Sequence, residues 1–554
     1  MNDCPDSIGD MTSLTQFVTY NATSGLLDKA REIRRRLNLV GNVHEVKSGE
    51  CSIVDLVGLA CSDLKLEGLQ NVEHPGADSL KLRDKSDIRV LQLCWEDEGG
   101  ESVLDRLVPP RTLEDFSLIG YRSSEFPDWM FDISSYLPFL SELNLKGLEA
   151  CDHLPPFGAL PNLRRLSLHN IPNIRKIGKK FYGEGGPCLK LRVLMLNSME
   201  NLEEWWTTES TKENEEFLIP NLHYLEVVNC QKLKFLPYPP RSMFWFLSNS
   251  ERVLPERGSG KLSSSIPPSE MVLGNCSFSE DKWDRLQHFP TLEIFQLTSI
   301  SGLRTLPEVM RCFSSLTALH LSKLKDLGAL PVWLGLLESV QKIVILDCPS
   351  MTSLPESMKN LTALKILILS ECKGLETLPE WLGQLTSLEH LEIMDCPNLT
   401  SLPESMKNLP ALKILKLLDC EDLETLPEWL GQLTSLEELK IGCPNLTPLP
   451  ESMMNLTALK TLWFGLEDLE TLPEWLGRLT SLETLVIGGC PNPTCLPESM
   501  KKLTALKNLV LVQFKGLETL PEWLGQLTSL DQLLIEDCPN LTYLPESLWS
   551  LSAL

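Results

Sequence analysis

The chain has 554 residues, 43% hydrophobic and 23% charged, an ordinary globular composition, with a formal charge of -25. That charge argues against a general binder of phosphate backbones, which needs clustered Lys and Arg, and so against a nucleic-acid partner. No run of 18 apolar residues exists, so no membrane span is expected.

Residues 1–20 read like the inside of a repeat, Pro5-x-x-Ile8-Gly9-x-Met11-x-x-Leu14-x-x-Phe17, and residues 28–39 read as a helix with a solvated basic face. There is no basic n-region followed by an apolar h-region. From Leu64 on, pairs of apolar residues with period 2 mark short strands: Leu64/Leu66, Leu91/Leu93, Phe116/Leu118, Leu143/Leu145, Leu166/Leu168, Leu194/Leu196 and Leu225/Val227. Their intervals of 23 to 31 residues imply inserted surface loops, such as the polar run 207–216. The pattern is weakest over 238–288. Trp245-x-Leu247 is read there as one degenerate strand, and 256–268, rich in Gly, Ser and Pro, as flexible. The domain reading is therefore 1–240, irregular repeats; 241–288, a degenerate repeat and flexible insertion; and 289–554, regular repeats.

The regular part organises the reading. Leu-Pro recurs at 306, 330, 354, 378, 402, 426, 449, 472, 496, 520 and 544, a period of 24 residues with two intervals of 23. One repeat runs Leu361-x-x-Leu364-x-x-Leu367-x-Leu369-x-x-Cys372-x-x-Leu375-x-x-Leu378-Pro379. A fixed period of this length, with Leu at set offsets, predicts a leucine-rich-repeat solenoid. The fold class is α/β, a horseshoe of about 18–20 repeats, with parallel strands on the concave face and short helices or turns on the convex face. Leu367 and Leu369 should point inward from a strand, while Pro379 should open a short helical segment at its first position. Repeats with Pro-Glu-Ser-Met (355, 403, 450, 497) alternate with repeats carrying Pro-Glu-Trp-Leu-Gly (379, 427, 473, 521), so the duplicated unit is a pair of repeats. Trp333, Trp381, Trp429, Trp475 and Trp523 are expected to pack between convex segments.

Candidate chemistry is sparse. Cys348, Cys372, Cys396, Cys420, Cys443, Cys490 and Cys538 fall in one repeat column and read as buried free thiols lining a turn, as in a reducing, cytoplasmic protein. Cys490 and Cys495 lack the second ligand pair that zinc needs, and no metal or cofactor is expected. The eight His are scattered, with no Ser/His/Asp or Cys/His constellation, so the chain is not read as an enzyme. The Glu after Leu-Pro at 356, 380, 404, 428, 451, 474, 498, 522 and 546 reads as helix-start chemistry. Residues before the strands alternate in sign, Lys365, Glu389, Lys413, Glu437, Lys460, Glu483, Lys507 and Asp531, as a ladder that satisfies itself.

The partner site is placed on the outward residue of each strand: Gln296, His320, Val344, Ile368, Glu392, Lys416, Lys440, Trp463, Val486, Val510 and Leu534. Trp463, Val486, Val510 and Leu534 should form an apolar patch spanning roughly 14 Å across adjacent strands. Gly465 and Gly488 should keep the surface beside it low. The charged centre, Glu392, Lys416 and Lys440, should orient a protein partner. Glu392 is expected to be exposed, so that its loss costs under about 0.5 kcal/mol.

The first part of the chain also resembles a known family. Leu66-Glu-Gly-Leu-Gln-Asn-Val72, Gly120-Tyr121, Phe126-Pro-x-Trp-Met130, Leu154-Pro-Pro-x-Gly-x-Leu-Pro-x-Leu163, Ile177-Gly-x-x-Phe-Tyr-Gly183 and Asn201-Leu-Glu-Glu-Trp205 occur in the order found in the repeat region of plant intracellular nucleotide-binding leucine-rich-repeat disease resistance proteins of the coiled-coil type. The phosphate-cradling string G-x-x-x-x-G-K-[ST] of that family's switch module is absent, so the resemblance implies a repeat domain alone and transfers no nucleotide site. It implies a non-catalytic recognition module in plant defence, which senses a pathogen effector or a guarded host protein and restrains a switch domain. The alternative is a cytosolic leucine-rich-repeat signalling scaffold unrelated to a nucleotide switch.

Overall fold

The computed structural model describes residues 44–46 and 62–550, apart from 73–76, 79–80, 98, 100, 184–185, 210–216, 256–267, 279, 447, 467–470, 490–494 and 543. The readings of residues 1–20 and 28–39, of most of the loop 207–216, of the segment 256–267 and of Cys490 lie outside the described residues. The chain forms two compact units, Met1–Pro268 and Ser269–Leu554.

In the first unit the expected strand pairs all form strands. They are Asp63–Leu66, Val90–Cys94, Asp115–Ile119, Glu142–Lys146, Arg165–His169, Val193–Asn197 and Tyr224–Val228, each parallel to the next. His44–Val46 pairs ahead of them, and Phe244–Ser248 follows in parallel, which makes the degenerate Trp245-x-Leu247 a full member of the ladder. A small second sheet joins Lys176–Ile177, Glu204–Trp206 and Lys234–Leu236. The resemblance motifs are spent on this packing. Trp205 is fully buried and donates its indole N–H to the Tyr182 hydroxyl at 2.8 Å, which in turn donates to the Trp206 carbonyl at 2.9 Å. Trp129 donates to the Leu104 carbonyl at 3.2 Å. Gly120 has φ +70°, and a Cβ there would lie 2.1 Å from the Trp95 carbonyl oxygen, so only glycine fits that turn.

The second unit stacks parallel strands in unbroken register from Glu270–Gly274 to Gln532–Glu536. The first of these was not singled out from the sequence, because Met271-Val-Leu273 lacks the Leu-Pro that marks later repeats. Leu364, Leu367, Leu369, Cys372 and Leu375 are fully buried, as their offsets require. The chain leaves most strands through a residue in the left-handed region, such as Glu371 (φ 55°) and Asp395 (φ 49°), just before the cysteine column.

The opposite side differs from expectation in one respect. From Glu308 on its segments are short 3-10 helices, such as Glu380–Gln384, and Pro379 is extended (φ -76°, ψ 148°). The proline is therefore the cap before the turn and not its first helical residue. Its carbonyl accepts the Leu382 N–H at 3.0 Å. Five residues give too few i to i-4 bonds to hold an α-helix, and the tighter turn is the compact solution.

The pairing of repeats has a physical basis here. A Cβ on Gly383 would lie 2.1 Å from the Ser405 carbonyl oxygen, and Gly335, Gly431 and Gly477 meet Ser357, Ser452 and Ser499 at the same distance. Each tryptophan-type turn thus lies directly against the serine-type turn that follows it. The Glu380 carboxylate crosses that junction and accepts from Glu404 N (3.3 Å) and Ser405 N (3.0 Å), while Glu428, Glu474 and Glu522 reach Ser452, Ser499 and Ser547. The glutamate column is helix-start chemistry, but in these repeats it serves the next repeat's turn. In three of the serine-type repeats the glutamate instead pairs within its own turn, Glu356 with Lys359, Glu404 with Lys407 and Glu498 with Lys501, at 2.6–2.8 Å. The column tryptophans are buried between the turns.

Gly431→Ala should destabilise by about 1–3 kcal/mol through forced separation of the paired turns. Gly328→Ala, where an added methyl meets nothing within 4 Å, should stay within about 0.5 kcal/mol of the parent. Equal melting temperatures for the two variants would refute the close-junction account.

Candidate functional site

A five-residue strand presents its first, third and fifth residues to one side, and neighbouring strands align those positions into columns. The parallel register joins Glu392, Lys416, Lys440, Trp463, Val486, Val510 and Leu534 as consecutive partners. The residues chosen from sequence thus form one continuous row.

Its apolar end is richer than the four residues first picked out. Trp463, Val486 and Val510 are half-buried and Leu534 is 42% exposed. The fifth-position column beside them runs Leu418, Gly442, Gly465, Gly488 and Val512. Trp463 does not stand upright in this row. A Cβ on Gly442 would lie 2.5 Å from its Cζ3 and 2.7 Å from its Cη2, so the ring lies back over the preceding strand. The low floor therefore begins one strand earlier than Gly465, and Gly442 is what lets the indole lie flat. Reading the fifth-position column as well as the third would have found it.

The charged centre corrects the sequence expectation. Glu392 is 9% exposed. Its carboxylate lies 3.0 Å from the Lys416 ammonium and 3.1 Å from His390 Nε2. His390 and Glu392, two apart on one strand, share a face, and the flanking Ile368 and Lys416 rows shield them. Lys440 pairs with Glu438 at 3.1 Å. The centre is thus internally compensated, and its charges are held by one another. Leu391, on the opposite face of that strand, is fully buried.

The ladder beside the strands closes in pairs across repeats: Glu389–Lys413 at 2.9 Å, Glu437–Lys460 at 2.6 Å and Glu483–Lys507 at 2.7 Å. Hydrogen bonding to the partner lysine holds each of these carboxyls below its usual range and raises the lysines. Cys348, Cys372, Cys396, Cys420 and Cys443 are free and buried, and burial pushes the Cys348 thiol up to about 11. Their protons go to main-chain carbonyls, as Cys396 to Met394 at 3.3 Å. Among the described residues no group of three His, Cys, Asp or Glu is placed to hold a metal ion, and no helix is long and apolar enough to cross a membrane.

The strand face of the first unit has a different character. Asp63, Val90, Asp115, Glu142 and Arg165 are successive row partners. Burial, then the charge of Glu142, pushes the Asp115 carboxyl up to about 6, although Arg165 opposes this.

Comparison with known proteins places this architecture. The family model described as R13L1/DRL21 LRRs matches residues 53–171 and 349–420. The leucine-rich repeats of this chain are similar to those of plant disease resistance proteins. It is 24% identical over 350 residues to the disease resistance RPP13-like protein 1 of Arabidopsis thaliana, covering 56% of this chain and 30% of that one. It is 25% identical over 254 residues to the disease resistance protein RGA2 of Solanum bulbocastanum, covering 36% of this chain and 26% of that one. The matched region spans less than a third of the length of either relative. Among solved structures, the TLR13–ssRNA13 complex aligns with 87% of this chain and 76% of its own at 20% identity and a TM-score of 0.51, a likeness of fold alone.

Two outcomes test this description. Leu391→Ala should cost roughly 2–5 kcal/mol through the cavity it leaves. Glu392→Ala should cost about 1 kcal/mol or more by stranding Lys416, well above a surface substitution, and chemical denaturation measures both. Asp115→Asn tests the first unit. The folded carboxyl titrates near 6 against an ordinary 3.8, so its charge opposes folding above that range and is absent below it. The Asn variant should melt higher at about pH 7.5 and lose that advantage at about pH 4; a pH-independent difference would contradict the assigned burial.

Proposed function

We propose that the chain is a non-catalytic protein-recognition module in plant defence and that the apolar end of the second unit's strand face is its docking surface. The observation that carries this reading is the row Trp463, Val486, Val510 and Leu534, partly exposed on successive strands beside a floor of glycines. An apolar patch of this kind on a rigid sheet is what a protein interface uses, and a Trp with one open face is a favoured anchor. Because Glu392, Lys416 and Lys440 already have partners on the chain, the matching surface is a protein patch with an apolar ridge and little net charge at its centre. The compensated centre orients it and contributes little affinity.

The disease-resistance relatives support a defence context, and the reading of the partner as a pathogen effector, a guarded host protein or a switch domain rests on that likeness. A buried column of free thiols supports work in a reducing compartment, the cytoplasm.

Against a partner recovered with the parent chain, Trp463→Ala and Val510→Asp should each weaken binding by more than about 1 kcal/mol while leaving the melting temperature close to the parent's. Undiminished binding by both variants, measured by calorimetry, would place the docking surface elsewhere.

A further inference from the structure

We propose that the first unit carries a binding site for a phosphate-monoester dianion, formed by Arg83, Arg111 and Tyr136. The site is separate from the strand-face row of the second unit and does not depend on it.

Three consecutive repeats build it. Arg83 sits on the 3-10 helix Leu82–Asp84, Arg111 in the segment before the strand Asp115–Ile119, and Ser135 and Tyr136 at the end of the helix Ile133–Tyr136. With Pro109 they line a cavity of about 140 Å³. That is room for roughly four or five waters at about 30 Å³ each, enough for a phosphate group and the first atoms of whatever carries it.

Two guanidinium side chains line this cavity. The protein has a formal charge of -25, so carboxylates are abundant. Arg89, Arg106, Arg165 and Arg311 each have one within 4 Å. Arg83 and Arg111, like several other arginines, have none among the described residues, and these two face the same cavity. Arg83 is instead held by an aromatic ring, with its Cζ 5.6 Å from the Tyr136 ring centroid. A guanidinium over a ring face still has N–H groups to donate, and its planar fork matches two oxygens of a phosphate. Two such forks suit a tetrahedral dianion better than a planar carboxylate, which one fork saturates. The Tyr136 hydroxyl is a third donor with no partner among the described residues. Ser135 is already committed, since its hydroxyl donates to Asp132 Oδ1 at 2.8 Å, and that carboxylate tempers the local positive charge. The Pro109 ring and the face of Tyr136 give the cavity apolar walls, which suit the carbon atoms of an ester.

A free phosphate-bearing small molecule and a phosphorylated side chain of a protein partner share this chemistry. Titration calorimetry of the full chain with inorganic phosphate and with O-phosphoserine, at constant ionic strength, distinguishes them. Saturable phosphate binding is expected, with acetate failing to compete. Arg83→Ala and Arg111→Ala should each weaken it by about tenfold, the worth of a charge-assisted hydrogen bond. Arg111→Lys should also weaken it, because the ammonium lacks the fork. Both arginines are exposed and without ion-pair partners, so the variants should fold, which circular dichroism checks; Tyr136→Phe gives a milder second variant that removes only the hydroxyl. Tighter binding of O-phosphoserine than of inorganic phosphate assigns the ester to a protein side chain, and equal or weaker binding assigns it to a free phosphate; either supports the site. Unchanged phosphate affinity in the double alanine variant, no binding by the parent, or equal competition by acetate would overturn it.

Discussion

No repeat of this chain can bury its own leucines. Leu364, Leu367, Leu369 and Leu375 lose all contact with water only because another repeat lies against each side. That requirement forces adjacent strands into register, since a slip by one residue would turn every inward leucine to solvent. It also multiplies every local feature into a column. The cysteines, the tryptophans, the left-handed residues after the strands and the glutamates after most Leu-Pro pairs are each one solution repeated at the spacing of the stack.

The convex side shows that the repeat is not the smallest unit of this stacking. The tryptophan-type turn and the serine-type turn after it approach so closely that a single methyl on Gly383 or Gly431 would strike the facing carbonyl. The glutamate of the first turn then satisfies main-chain donors of the second. Two different turns that fit each other are duplicated together, because copying one without the other would break both the close approach and the cap.

These demands leave few side chains free for recognition. The aromatic residues that carry the likeness to disease resistance proteins, Tyr121, Trp129, Tyr182 and Trp205, are consumed in the core of the first unit. The ladder lysines and glutamates answer one another across repeats, and the polar centre around Glu392 is compensated from within. Among the side chains that remain open are a partly exposed apolar row on one strand face and two arginines that face one cavity in the other unit. Both are places where the repeat consensus is silent, since neither the third strand position nor the loops of the irregular repeats affects how the leucines stack.

The sequence by itself determined the period, the parallel strands, the inward and outward faces and the buried thiol column. These follow from the spacing of apolar residues along a chain whose neighbours in space are copies one period away. The strand row from Glu392 to Leu534 was legible for the same reason. The tertiary structure alone decided how side chains meet across that spacing. It put Glu392 out of water between Lys416 and His390, laid the Trp463 ring over Gly442, sent Glu380 to cap the next turn, and brought Arg83 and Arg111 to one cavity across an irregular interval. A repeat pattern states which residues are neighbours. Whether neighbours pair, shield or stack depends on separations of a few ångströms, and those are set by the packing of the whole stack.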